Sequence, residues 1–482
     1  MRLIARLIAG LIAITPPAFA QQQLPDLGGG DFALSPQLER RIGESIVRDI
    51  KFRDPSYIDD PEAEDYLKGI GMRLAQANPA LRQDIEFFVL RDYTVNAFAL
   101  PGGFVGVHTG LINTADTESE LASVLAHELG HVSQRHIARM LAQQQQMQLP
   151  MMAALAAALL LGRSRPDLAM GAAAAAQGGA VQLGLSYSRD FEREADRIGL
   201  QTLSDAGFDV RAMPTFFEKL QRSTRVSDDS SVPGYLRTHP ITSERIADVQ
   251  NKAASMPYHQ HPDSVEFQLV RAKLRADGGD ARDAVTSFQL ALREHRYSSE
   301  AAARYGLAQA LLRAGQAPAA SREVERLRAL HLESPMMETL AARVKQAAGD
   351  NTGATRILAD AEQHYPHSRA IAYAYINALQ EAGQNDAALA ALRDALGAYP
   401  KDARLYGMQA KTYAALGKRL LQHQSQGEAY ALQGSLPAAI EQLTLARSAG
   451  DGDFYQLSVV DARLKELRAQ YATEMKEAKN SR

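Results

Sequence analysis

Glycines recur at positions 279, 315, 349, 383 and 417, at spacings of 36, 34, 34 and 34 residues. A period of that length accommodates one pair of helices and a turn. The register holds at other positions. Five residues after the first four glycines stand Ala284, Ala320, Ala354 and Ala388, small side chains that let paired helices approach closely, and twelve after them come Ala291, Leu327, Ala361 and Ala395. Pro366 and Pro400 each fall where a second helix must end, and Gly434, Ala439 and Ala446 repeat the pattern after a shift. A single pair of helices cannot bury its apolar face, so neighbouring units must stack.

Thirty-four residues is the tetratricopeptide length. We therefore expect about four to five helix pairs between roughly 263 and 450, and a capping helix over Phe454–Lys476, making residues 263–482 a repeat domain. Stacked pairs form a concave surface for peptides or protein partners. No chemistry is expected there.

A chain of 482 residues holds about two to four domains. Its first twenty residues carry Arg2 and Arg6, an apolar run from Leu7 to Ile14 and the triplet Ala18-Phe19-Ala20. That is the pattern of a secretory signal cut after about Ala20, and the apolar run is too short for a membrane anchor. There is no Cys, so packed cores, and a metal if one binds, must stabilise the exported chain. Lys and Arg number 53 against 56 Asp and Glu, a formal charge of −3, which speaks against nucleic acid as a partner.

Residues 21–34 read as a flexible leader, and Ser35-Pro36 as the cap and first turn of the first folded helix. Helical pattern continues to about Ala77. Asp84–Arg91, Tyr93–Leu100 and Phe104–Val107 read as strands, with Pro101-Gly102-Gly103 as a turn. Thr117-Glu118-Ser119-Glu120 matches a helix-opening capping box. Residues 143–181 are rich in Gln, then Leu, then Ala and Gly. The piece Leu149–Leu161 would span about 20 Å as a helix, short of the ~30 Å hydrocarbon layer, and reads as either a buried helix or a peripheral membrane contact. The whole is mainly α: an α+β domain over 35–260, then an α-solenoid.

The helix opened at Thr117 carries His127-Glu128-Leu129-Gly130-His131. Residues four apart lie on one helix face, so both imidazoles can hold one ion, with Glu128 beside them to act as general base on a water. The motif arises by chance in about two per hundred chains of this length, so it needs a third ligand. Glu192 is the candidate, on a helix capped by Ser186 or Ser188 and ended by Gly207; it would complete a His₂Glu zinc site. Asp196, one turn on, is placed to accept from the far nitrogen of a ligand imidazole. Glu194 competes as a ligand but points about 200° away from Glu192. His136 is about 180° around the helix from His127 and is expected to face away, while His108, His259 and His261 lack ligand spacing.

HELGH, Glu192-Arg193-Glu194-Ala195-Asp196 and Arg237-Thr238-His239-Pro240 with Arg245 together resemble the gluzincin family of HtpX and the CaaX-processing proteases. Asn96–Gly103 and Gly110-Leu111-Ile112 are similar to its strand motif. With the leader and the repeats, the resemblance covers nearly all of the mature chain and narrows to periplasmic protease–chaperones of Gram-negative bacteria. It implies one zinc per chain bound by His127, His131 and Glu192, with Glu128 catalytic and Asp196 acting beside the metal. It further implies misfolded or unassembled outer-membrane proteins, and the β-barrel assembly machinery, as partners. His239 is open among three readings: a solvated or capping residue, a donor to the developing oxyanion, or a removable fourth ligand that keeps the protease silent. Val95–Leu100 offers a strand edge to which an extended peptide can add.

Overall fold

The computed structural model describes residues 35–81, 84–140, 189–226 and 234–480. The leader, the segment 143–181 and the caps expected at Ser186 or Ser188 lie outside the described residues. The fold begins with α1 (Pro36–Arg53), whose cap Ser35 accepts from the Leu38 N–H. β1 (Tyr57–Ile58) follows, a short strand that interrupts the helical pattern read through to Ala77. Asp60 then opens α2 (Pro61–Gln76) by accepting from two backbone N–H groups.

β2 (Glu86–Leu90), β3 (Ala97–Leu100) and β4 (Phe104–His108) join β1 in a four-stranded sheet of order β1-β2-β4-β3. β2 and β4 run parallel and β3 returns antiparallel to β4, so β3 is the outer strand at one edge. Residues 93–96 are not strand, which shortens the expected Tyr93–Leu100 run. After α3 (Thr109–Thr114), Thr117 opens α4 (Glu118–Ser133) by accepting from the Glu120 N–H. Glu120 returns its carboxylate to the Asp116 N–H rather than to the cap residue. Almost every residue of α4 is buried, including its acids and His127. A second, short helix, α5, runs over 136–140, and α6 over 189–205.

α4 and α6 pack backbone to backbone. A Cβ on Gly130 would come within 2.9 Å of the Ala195 carbonyl oxygen, and one on Gly199 within 3.0 Å of the His127 main chain. Those two glycines bring the α6 acids up to the α4 imidazoles. α7 (Ala212–Val226), α8 (Gly234–Thr238) and α9 (Ser243–Ala254) complete this region.

Ten helices follow in chain order, alternating as first and second of each repeat: Val265–Asp277 and Ala281–Arg293, Glu300–Arg313 and Ala317–Ala329, Pro335–Ala347 and Asn351–His364, Arg369–Glu381 and Asn385–Ala398, and Ala403–Ala415 and Arg419–Leu432. Leu436–Ser448 and the long Phe454–Asn480 form a last pair. The register glycines all stand at positive φ, from 57° at Gly279 to 82° at Gly349, and nothing lies within 4 Å of a Cβ built on any of the five. Conformation, not space, therefore demands glycine there. At Gly315 the Gln316 N–H donates back to the Leu311 carbonyl, which ends the first helix of the pair. Gly434 sits at the end of a second helix, and Gly450, at φ 79°, takes the next first-helix terminus. The helix alternation thus runs on without the shift expected at Gly434.

The described chain falls into two compact units, dividing between Ala378 and Leu379. The first is continuous across the boundary expected near 260–263: Leu67 and Val124 share one hydrophobic core with Phe267, Tyr305 and Leu340. Polar contacts reinforce it. Glu118, at the start of α4, accepts from the Ser264 hydroxyl at 2.6 Å, and Lys273 meets Asp60 and Glu62, each at 2.6 Å. The second unit has its own core around Leu420, Leu443, Val460 and Leu464. No described helix is long and apolar enough to cross a membrane.

Candidate metal centre

Four side chains from three elements converge. His127 and His131 come from α4, Glu192 from α6 and His239 from the residue after α8, and one donor atom from each lies within 4.8 Å of all the others. His127 Nε2 is 3.0 Å from His131 Nε2 and 3.4 Å from His239 Nδ1. Glu192 Oε1 is 3.3 Å from His131 Nε2 and 2.9 Å from His239 Nδ1. Donors held at about 2.1 Å around a tetrahedral ion stand about 3.4 Å apart. Two imidazole lone pairs also cannot face each other at 3.0 Å without a proton or a cation between them. The donor set and its spacing fit a divalent metal.

Glu128 lies beside this cluster, fully enclosed. Its Oε2 accepts from the Ala99 N–H of the outer strand at 3.0 Å, while Oε1 has no hydrogen-bond partner among the described residues and stands 3.5 Å from His239 Nε2. Burial pushes its carboxyl above the ordinary value, against the pull of His239 and His127. Asp196 Oδ1 is 2.9 Å from His127 Nδ1, the nitrogen that faces away from the cluster. Arg245 grips Asp196 with two contacts of 2.8 Å and reaches Glu192 Oε2 at 2.8 Å. Burial opposes a charge on either carboxylate, but the histidines and, at Asp196, the guanidinium outweigh it and hold both below the usual range. Burial also opposes a proton on His127, yet Asp196 and Glu192 raise its ring to about 10, whereas burial holds His131 down to about 3.

Of the remaining sequence candidates, Glu194 is outside the cluster and pairs with Arg139 at 2.9 Å. His108 contacts Thr94 at the end of β4, His261 pairs with Glu118, and His259 is exposed. His136 does not face away. α4 ends at Ser133, Arg135 turns the chain at φ 51°, and the His136 ring arrives with Nδ1 2.9 Å from His131 Nδ1. A helix continued through residue 136 would have placed it on the far side, which is why helical spacing misled.

Two residues had no sequence signal that singled them out by role. Tyr235 is fully buried, its ring stacks on His239 at 4.8 Å, and its hydroxyl has no partner among the described residues. Arg245 sits in the familiar Arg-Thr-His-Pro neighbourhood, but only the folded arrangement shows that it neutralises two buried acids.

Residues 61–253 match the model of peptidase family M48, and residues 346–412 match a tetratricopeptide repeat model. The chain is 32% identical to the beta-barrel assembly-enhancing protease of Escherichia coli (strain K12) over 97% of its own length and 96% of that protein. It is 31% identical to the protein of the same name from Yersinia pestis, over 93% and 92%. A more distant match is mitochondrial metalloendopeptidase OMA1 of Arabidopsis thaliana, 32% identical over 45% of this chain and 42% of that one.

Proposed function

The chain belongs to peptidase family M48, in the branch that carries tetratricopeptide repeats behind a metal-dependent peptidase domain, and from that premise we propose a periplasmic zinc endopeptidase acting in assembly and quality control of outer-membrane proteins. The beta-barrel assembly-enhancing name of its full-length relatives supports the substrate class, and the repeats supply a surface for peptides or partner proteins. Domain roles follow: 35–260 for hydrolysis and 263–482 for binding. One observation carries the catalytic reading: four donor atoms lie within 4.8 Å of one another beside an enclosed carboxylate oxygen that has no partner among the described residues.

His127, His131 and Glu192 would hold zinc, an ion suited to this nitrogen and oxygen donor set. Bound there, zinc supplies acidification of a water and polarisation of the scissile carbonyl. Glu128 takes the proton of the attacking water on Oε1, while its Oε2 stays anchored to the outer strand through Ala99. Asp196 holds His127 in the tautomer that leaves Nε2 free, and Arg245 keeps Asp196 ionised and in place. An extended segment of substrate adds along β3 beside Glu128, which favours unfolded chains over folded ones.

A second reading, that the chain works mainly as a chaperone with a normally silenced protease, draws on His239. Its Nδ1 stands in the fourth donor position, where an open site would admit water or substrate. His239→Ala should raise peptide cleavage if the imidazole blocks the site and lower it if the imidazole stabilises the oxyanion; no change in cleavage or metal binding removes both roles.

Metal content of the purified protein tests the main reading. Wild type should hold one zinc per chain and Glu192→Ala should lose it. A folded wild-type protein with no stoichiometric zinc would sink the enzyme reading and leave the repeat domain untouched.

A further inference from the structure

A histidine that ligates a metal through one ring nitrogen nearly always donates from the other, which fixes its tautomer and the direction of its lone pair. His127 has Asp196 for this purpose. Among the described residues His131 has no carboxylate within reach of its outer nitrogen; it has His136, with the two Nδ1 atoms 2.9 Å apart and the rings at 78°. His136 Nε2 in turn meets Glu194 Oε2 at 3.1 Å.

Only one proton arrangement serves all three groups. His131 Nε2 faces His127 and Glu192, so its lone pair must point into the cluster and its proton must sit on Nδ1. That N–H donates to His136 Nδ1, which must therefore be bare. The His136 proton is then on Nε2 and donates to Glu194.

The ring is built to stay there. His136 is 3% exposed, its face stacks on Phe191 at 4.2 Å, and the Arg139 guanidinium covers Phe191 and binds Glu194. The chain reaches this position through Arg135, a non-glycine residue at φ 51° whose guanidinium is tied to the buried Glu39 at 2.7 Å and 3.0 Å. Left-handed backbone at a residue that carries a side chain costs about 1–2 kcal/mol and persists where surrounding contacts hold it. A straight helix would have turned His136 about 140° away from His131.

From this geometry we infer that His136 is a positioning residue for the metal: with Glu194 it forms a carboxylate–imidazole relay that orients His131, the counterpart of Asp196 behind His127. The inference rests on the zinc reading of the four-donor cluster. A purely structural His136 would pack against Phe191 and leave metal binding alone.

The test is zinc affinity by competition with a chromophoric chelator, together with the visible spectrum of the cobalt-substituted protein and the melting midpoint of the metal-free form. His136→Leu should weaken zinc binding about 10–100-fold and alter the cobalt spectrum. His136→Asn, whose amide oxygen falls where His136 Nδ1 stood, should recover most of the affinity. Wild-type zinc affinity in His136→Leu overturns the relay while leaving the zinc site standing, as does a loss that Asn fails to restore and that tracks the fall in metal-free melting midpoint. A wild-type protein that binds no zinc sinks the underlying reading instead.

Discussion

The four-donor cluster and the helical repeats bury opposite kinds of matter. Around His127 the interior holds Glu128, Glu192, Asp196, His239 and Arg245, all nearly inaccessible and, apart from the Oε1 of Glu128, held by groups distant in sequence. In the repeats the corresponding interior is Ala320, Ala354, Ala388, Leu358 and Leu392, of which Ala354 and Leu358 pack with Ala342 and Ala378 from the helices next door in the chain. Buried charge is tolerated only when its partners are in place, and removing one leaves the others unpaired. Buried alanine needs only that nothing larger occupy its position. The first region is therefore fragile in function and specific in chemistry; the second is tolerant in chemistry and specific in spacing.

Several changes would break or sharpen that contrast. The largest effect is expected at Glu128: the Gln variant should lose about 10²–10⁴-fold in peptide cleavage while retaining zinc, measured by turnover of an unfolded protein substrate and by metal analysis. Chelation of wild type should abolish cleavage and leave the helical circular dichroism of the repeats in place; collapse of that signal would mean that the two regions depend on one ion. Arg245→Met leaves Asp196 and Glu192 without their guanidinium, and the metal-free protein should lose about 3–5 kcal/mol in urea unfolding.

Changes in the repeats should be smaller and should not alter zinc stoichiometry. Ala354→Leu forces a larger side chain into a position with no exposure and should cost about 1–3 kcal/mol. Gly315→Ala places a Cβ at φ 72° and should cost about 1–2 kcal/mol, even though nothing crowds the site. Gly407→Ala tests the opposite sign: Gly407 lies inside a helix with open space around it, and alanine should stabilise the 379–482 unit by about 0.5–1 kcal/mol.

How far the fold could be read in advance followed the same contrast. Ser35, Thr117 and the register glycines act on the few residues beside them, so their effects were visible as spacing. The parallel pairing of β2 with β4, and the two-residue β1, depend on strands meeting across the fold and left no local mark. At the site, His127 and His131 were legible because one helix turn relates them, and Glu192 and Asp196 because another does. His136 departs from that pattern for the same reason: helical spacing sets it on the far side only if α4 continues, and the left-handed turn at Arg135 ends that helix.

The amino-acid order alone determined the elements whose causes are local: the repeat period, the helix caps, and the pairing of two imidazoles on one face. What only the tertiary structure decided was which acids face which imidazoles, that His239 and Arg245 enter the cluster, and that the compact unit runs on to Ala378. The physical reason is range. Backbone conformation and helix period act over a few residues, whereas burying a charge requires partners gathered from positions such as 127, 192, 239 and 245, and only the closed chain brings these together.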